Sequence, residues 1–520
     1  LKQGGSNELK FHGDNPVFIG DIIVDSDESE GSIGPNSKFS NTNITLIGNI
    51  GIGGGGSAVG TLEIANSKVV TLSGGDVNLG VVGFDNTSSK LKLSGSTDTV
   101  VTITYSMATT SLGYAGHGIF ETEGSANHTI NANFGISGNS FSTFNLGGTG
   151  TQTFASSKGQ QYFNNLTFIG AEASKAVFGG GATITSAVTF TAASQALTFS
   201  KSSTLTGGAS FAGKASTITV DSAAGNNTLT GALTTTTNNT GTLAITGGAN
   251  TATIANGVGA SGNALSAVTV AASTGAVFSS AVYAKNVTLA GTATFNSTVD
   301  TTGGKISISS TGSAILNQDT TATLEMTGNG NVTIASGKTL TATIDNVTGA
   351  DGSGALILSG GTITVTGALG ATKSLSSISI MNSSGAVSTF NNTVNVDSLT
   401  LGANSGSGIF SNTTTIKNAV NFTAASQSLK FSKSSTLTAG ANLKGFASTV
   451  TVDSAAGNNT FNGALTTTTN NTGTLAITGG ANTVTIAKSV GSSGKALSAV
   501  TVADSTGATF SEAVYANALT

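Results

Sequence analysis

A phrase that returns four times constrains this chain more than any other feature. It reads Gly135-Ile-Ser-Gly-Asn-Ser-Phe-Ser-Thr-Phe-Asn-Leu146, then Gly259-Ala-Ser-Gly-Asn-Ala-Leu-Ser-Ala-Val-Thr-Val270. It comes back one residue shorter as Gly370-Ala-Thr-Lys-Ser-Leu-Ser-Ser-Ile-Ser-Ile380, and finally as Gly491-Ser-Ser-Gly-Lys-Ala-Leu-Ser-Ala-Val-Thr-Val502. The leading glycines are 124, 111 and 121 residues apart. Self-similarity at long, nearly regular spacing belongs to arrays of stacked units, in which each unit buries its apolar face against the next. Two stretches are closer still: 187–284 and 419–516 align without a gap at an offset of 232, with 79 identities in 98 positions.

The copies serve as an internal mutation series. Three positions of the phrase always carry a large apolar residue: Phe141/Leu265/Leu375/Leu497, Phe144/Val268/Ile378/Val500 and Leu146/Val270/Ile380/Val502. The last two sets are two residues apart, with Asn145, Thr269, Ser379 and Thr501 between them, which is the alternation of a strand with one buried and one wet face. Between the long copies Ile218 becomes Val450, Leu229 becomes Phe461 and Ala252 becomes Val484. By contrast, Asn256, Asn263, Ala272 and Ser280 become Lys488, Lys495, Asp504 and Glu512, so charge enters where a solvent-facing position is expected. Lys214 to Phe446, paired with Ala212 to Lys444, breaks that pattern and reads as a local surface rearrangement.

Short runs rich in Val, Ile, Thr and Phe, such as 182–185, 216–220, 251–254, 305–309 and 362–365, alternate with Gly, Asn and Ser clusters, and no helix-length apolar stripe intervenes. The fold class is therefore all-β. Proline occurs only at Pro16 and Pro35. Since Pro removes a backbone donor, its absence from the remaining 485 residues suits strands flanked on both sides. This favours a parallel β-solenoid (β-helix), which has edges only at its two ends, with coils of roughly 20 to 25 residues and about five coils per unit. The alternative is a row of tandem β-sandwich modules of about 115 residues each. The expected organisation is a charged N-terminal segment over 1–40, then a repetitive solenoid over 41–520.

Charge narrows the function classes. Residues 1–40 hold three Lys against seven acids, while the other 480 balance 17 against 17, and there is no Arg. Without a basic stripe or bidentate phosphate binders, nucleic acid is not an expected partner, nor is an anionic membrane surface. Cysteine is absent, so no disulfide framework is available and stability must come from the repeated core. The longest apolar runs are far too short to span a bilayer as a helix. The chain starts at Leu1 and ends partway through a repeat phrase, so it reads as a fragment, in which missing targeting or anchoring signals mean little.

Candidate chemistry is sparse. His117, Glu121, Glu123 and His128 form the one local His/carboxylate cluster, with Glu121 and Glu123 expected on the same strand face; a zinc or calcium site is conceivable there. The matching stretch of the next copy, 241–252, has no His or carboxylate, which favours a surface coincidence. Ser336-Gly-Lys-Thr339 lacks the leading Gly of a phosphate loop, because Val332 stands there, and reads as a turn. No Gly-x-Ser-x-Gly elbow occurs and no His follows His128. Gly349-Ala-Asp-Gly-Ser-Gly354 is a lone approximation to a calcium nonapeptide. The acidic run Asp25–Glu30 reads as a solvated loop. Thr234–Thr237 and its copy Thr466–Thr469 suggest ice or sugar binding, but Thr-x-Thr pairs do not recur at one coil length, so a solvated outer face is expected. No catalytic residue, metal site, cofactor or enzyme activity is expected.

Two stretches share a pattern: Gly241-Thr-Leu-Ala-Ile-Thr-Gly-Gly248 and Gly354-Ala-Leu-Ile-Leu-Ser-Gly-Gly361, each followed by the Leu-Ser-x-(Val or Ile) strand of the phrase. Over most of 41–520 this resembles the passenger regions of bacterial autotransporters, the type V secreted surface proteins, in the style of the large rickettsial surface antigens. The resemblance implies a passenger rod exported through a C-terminal outer-membrane barrel outside these residues. It implies display on the cell surface and adhesion to a host-cell protein or glycan, with no shared catalytic set. Lys488, Lys495, Asp504 and Glu512 are the positions where binding differences between copies would arise. A self-associating surface-layer or matrix protein is the other expectation.

Overall fold

A computed structural model of the chain describes residues 67–103 and 117–520, apart from 75, 80, 171, 172, 302 and 403–405, together with the backbone of short strands between Val17 and Ile64. The chain forms two compact units, Leu1–Thr269 and Val270–Thr520. In both, strands pair in parallel with their counterparts one coil further along the chain, and the fold is a parallel β-solenoid. Among the described residues the antiparallel contacts are isolated bridges such as Ile136 with Asn139, which rules out the antiparallel sheets of sandwich modules. The one helical element described is a 3-10 turn, Ser156–Lys158.

Within the first unit several coils make three faces. One coil runs Ala182–Ile184, Val188–Thr189 and Ala196–Phe199; the next runs Ser203–Leu205, Ala209–Ser210 and Thr217–Asp221. The register places Ile184 on Leu205, Val188 on Ala209 and Phe199 on Val220, all buried. Side chains alternate in and out along these strands, so a register that matches apolar to apolar builds one continuous interior. Five coil steps separate the first phrase, at Phe141, from the coil of the second, at Ile254, as the repeat length predicts. The ladder also extends back to the strand Val17–Ile19, which pairs with Ile44–Ile47. The acidic residues beyond Asp25 lie outside the described residues.

The second unit repeats the design. Ser435–Leu437, Ala441–Asn442 and Thr449–Asp453 stack beneath Asn459–Asn462, Leu465–Thr466 and Thr474–Thr478. Coil length ranges from the 29 residues between Lys90 and Ile119, in the first unit, to the 17 between Gly275 and Thr292, in the second. This is wider than the expected 20 to 25, because corners absorb insertions without disturbing the paired strands.

Eleven of the twelve apolar positions of the phrase are buried; Val502 alone is partly exposed. The exchanges Ile218/Val450, Leu229/Phe461 and Ala252/Val484 are interior, as expected. Ala212 and Lys444 both sit at φ 48 in equivalent surface turns, which locates the one irregular exchange. Phenylalanines stack at coil spacing: Phe154, Phe178 and Phe199 at 4.9 and 5.5 Å, and Phe390, Phe410 and Phe431 at 4.7 and 5.2 Å. Each fully buried side chain of this size contributes roughly 1.5–3 kcal/mol of transfer free energy.

Polar corners are tied from coil to coil. Asn226 Oδ1 accepts the Thr251 N–H at 2.9 Å, and its copy Asn458 accepts that of Thr483 at the same distance. Inside, Gln195 Oε1 accepts from the N–H groups of Thr191 and Ala192, and Gln427 does the same for Thr423 and Ala424. These bonds satisfy backbone donors that a turn would otherwise bury unpaired.

Candidate binding surface

The four charged positions singled out from the copies all lie on the exposed surface. The structure brings two of them together. Lys488 Nζ is 3.5 Å from Glu512 Oε1 on the following coil, and Glu512 Oε2 accepts the Ser489 N–H at 3.1 Å. The first copy has Asn256 and Ser280 at those places, so the two charges entered as a compensating pair. Lys495 instead closes a small hairpin, through reciprocal backbone bonds with Ser492 of 3.1 and 2.9 Å. Asp504 lies in a separate exposed turn before Ser505, whose φ is 64. The same hairpin is built at Ile136–Asn139 and Ala260–Asn263, each with Ser-Gly at its exposed tip. The shortened third phrase forms no such bridge; there Thr372 is fastened to Asp345 through its N–H and hydroxyl.

The His/carboxylate cluster is divided between interior and surface. Glu121 and Glu123 do share a face, since both contact Lys92. Glu121 also accepts from Lys90 Nζ at 2.6 Å and Asn145 Nδ2 at 3.0 Å. Burial pushes its pKa up, but the Lys90 and Asn145 hydrogen bonds and both ammonium charges outweigh that and hold it below the ordinary value. His128 faces the other way, 2 % exposed, with neither ring nitrogen partnered. Among the described residues no group of three or more acids or histidines is placed to hold a metal ion.

The other motifs resolve into structure. Ser336–Gly337 forms a turn, Gly337 at φ 74, whose Ser336 Oγ accepts the Gly361 N–H at 2.8 Å. The Thr runs are not uniformly solvated: Thr235 turns inward at 6 % exposure and its hydroxyl meets that of Thr240 at 2.6 Å, as Thr467 meets Thr472 at 2.7 Å. Elsewhere Thr residues stack in single file, Thr183 on Thr204 on Thr230. A double rank is broken at once, because Thr217 and Thr219 face Thr242 and Ala244.

One constellation escaped sequence reasoning. Ser374 Oγ lies 2.7 Å from both Asp351 Oδ1 and Asp397 Oδ1. Lys417 Nζ donates to Ser374 Oγ at 2.8 Å, Asp351 Oδ2 at 2.7 Å and Asp397 Oδ1 at 2.9 Å. A serine hydroxyl beside a lysine can form a nucleophile–base pair only if the amine is neutral. Here the hydrogen bonds to Asp351 and then Asp397 raise the Lys417 pKa, and Lys417, with Ser374, holds Asp351 well below the carboxylate range. The ammonium stays charged and its three donors are used, so the group acts as a polar clamp across coils. Its signal in the sequence is the spacing of 23, 23 and 20 residues, one coil each, which is visible only once coil length is known.

No protein-family model, curated protein or solved structure matches this chain.

Proposed function

We propose that this chain is part of the passenger of a bacterial autotransporter, a non-enzymatic adhesin whose stacked coils present a binding surface outside the cell to a host-cell protein or glycan. The observation that supports this reading most is the division between copies: interior ladders keep their apolar character while new charges enter at outward-facing positions, most of them exposed corners. A scaffold selected for display would change in this way, because a solenoid tolerates outer-face variation without loss of its core. The near-neutral charge of 41–520 and the lack of Arg favour short-range recognition over electrostatic attraction to nucleic acid.

The test is binding of the purified 520-residue chain to cultured mammalian cells and to immobilised glycans. A second protein carries Lys488→Asn, Lys495→Asn, Asp504→Ala and Glu512→Ser, the residues of the first copy. Saturable binding that falls at least about tenfold in the reverted protein, a change of about 1.4 kcal/mol, supports both adhesion and these four positions. Unchanged saturable binding moves the site elsewhere. Regular sheets or filaments formed by the protein alone, with no saturable cell binding, would replace the adhesin by a surface-layer protein.

A further inference from the structure

His128 is the inward-facing residue of the strand His128–Asn131, where buried His128 and Ile130 alternate with exposed Thr129. A neutral imidazole carries one donor and one acceptor, and interiors normally supply a partner for each. Here neither nitrogen has one. The residues stacked on either side are Thr99 and Gln152, both buried and uncharged. The Thr99 hydroxyl donates to the Thr97 carbonyl at 3.3 Å, and Gln152 Nε2 donates to the Ala126 carbonyl at 3.3 Å. Gln152 Oε1 is itself unpartnered, but it offers a partial charge only.

Among the described residues, the charged groups on the paired strands and their corners lie outside the interior that holds His128. Asp98, just before Thr99, is exposed and accepts the Asn127 N–H at 2.8 Å; Asp76 is exposed and accepts that of Val100 at 3.2 Å. The strand Thr151–Phe154 has no charged residue. On the adjoining face Glu121 and Glu123 are engaged by Lys90 and Lys92. Among the described residues, then, no carboxylate stands ready inside to receive an imidazolium, since Glu121, though buried, is already held by Lys90 and Asn145.

We propose that His128 is an acid-sensitive lock, whose protonation opens the coils built on Thr99–Ile103, His128–Asn131 and Thr151–Phe154 while the repeats that lack histidine stay closed. A charged imidazole adds a second unpartnered donor and a full charge to the interior, which only exposure to water relieves. Burial depresses the His128 pKa, against a smaller opposing pull from Asp98. The sign follows: the open form binds the proton first, so stability is present above the unfolded value of about 6.5 and is lost as pH falls below it. No histidine occurs after His128, so the long copies have no counterpart.

The test is amide hydrogen exchange of the 520-residue chain at pH 7 and pH 5, corrected for intrinsic exchange, beside His128→Leu. This window stays above the ordinary carboxylate range. Peptides covering 119–154 should open up to about 25-fold more at pH 5, the limit for one histidine kept neutral while closed. Peptides covering 428–486 should change little, and His128→Leu should remove the pH dependence from 119–154 and leave that of other segments alone. If the variant fails to fold, the imidazole titration of the unmodified protein decides by NMR. A pKa at or above about 6.5 in the folded chain would overturn the proposal, as would equal acid opening of both peptide sets.

Discussion

Phe410 is the middle ring of a three-ring stack, with Phe390 at 4.7 Å and 3° and Phe431 at 5.2 Å and 11°. It is 1 % exposed and is carried by the strand Ser407–Phe410, which pairs with a strand on each side. Replacing it with Ala removes a ring from the interior and leaves two rings facing a void. Phe-to-Ala changes in cores cost about 3–5 kcal/mol, within which each lost ring pair accounts for about 0.5–1.5. In a stack where each coil touches only its neighbours, this should appear as local opening. Exchange protection across 387–431 should fall by about 10² to 10³·⁵, at 1.4 kcal/mol per tenfold, while protection across 196–245 holds. A loss below about tenfold at 387–431 would show that the ring stack does not stabilise these coils. An equal loss in both segments would refute the nearest-neighbour reasoning itself.

Other outcomes follow from the copies. Phe461→Leu restores the residue the first copy has at Leu229 and should cost less than about 1.5 kcal/mol in denaturant unfolding, whereas Phe461→Ala should cost about 3–5. Lys430→Thr, again the first-copy residue, removes a 2.6 Å bond to Asp453 and should cost about 0.2–1 kcal/mol, discounted for the exposure of Lys430, with coupling measured in a cycle with Asp453→Asn. Burial raises the Asp453 pKa, but Lys430 and the Ala455 N–H outweigh it and hold it below 3.8; that stability is present above this value and lost as pH falls below it, and Lys430→Thr should flatten the loss. Gly241, at φ +78, has no room for a Cβ, which would lie 2.3 Å from Phe211 Cγ; Gly248, at φ +80, has open space. Gly241→Ala should therefore lower the melting temperature more than Gly248→Ala, where only backbone strain of about 1 kcal/mol acts.

The clamp around Lys417 and the isolation of His128 show what reading along the chain misses. Asp351, Ser374, Asp397 and Lys417 are unremarkable in sequence, because nothing local sets them apart from other polar corner residues. Only the stacking of successive coils brings them within 2.9 Å. His128 and Glu121 are seven residues apart and look like one cluster, but they sit on different strands: both are buried, Glu121 held by Lys90 and Asn145 and His128 with neither ring nitrogen partnered. The Thr runs mislead in the same way: Thr235 and Thr236 are adjacent, just past the strand Leu233–Thr234, and the bend there buries the first and exposes the second.

What the sequence determined by itself is the class of fold and the faces of its strands. The alternation of Phe144 and Leu146 about Asn145, repeated in four phrases, sets inside against outside, and the rarity of Pro permits strands paired on both edges. Those are local properties with a period of two residues, and one chain suffices to read them. The tertiary structure decided which coil lies on which, through coil lengths that vary from 17 to 29 residues as corners lengthen or shorten. Every contact between side chains a coil apart, from the Lys488–Glu512 pair to the Phe390–Phe410–Phe431 stack, depends on that register. A one-residue slip between paired strands would reassign them all, because register is a long-range property that hydrophobic matching along the whole coil selects.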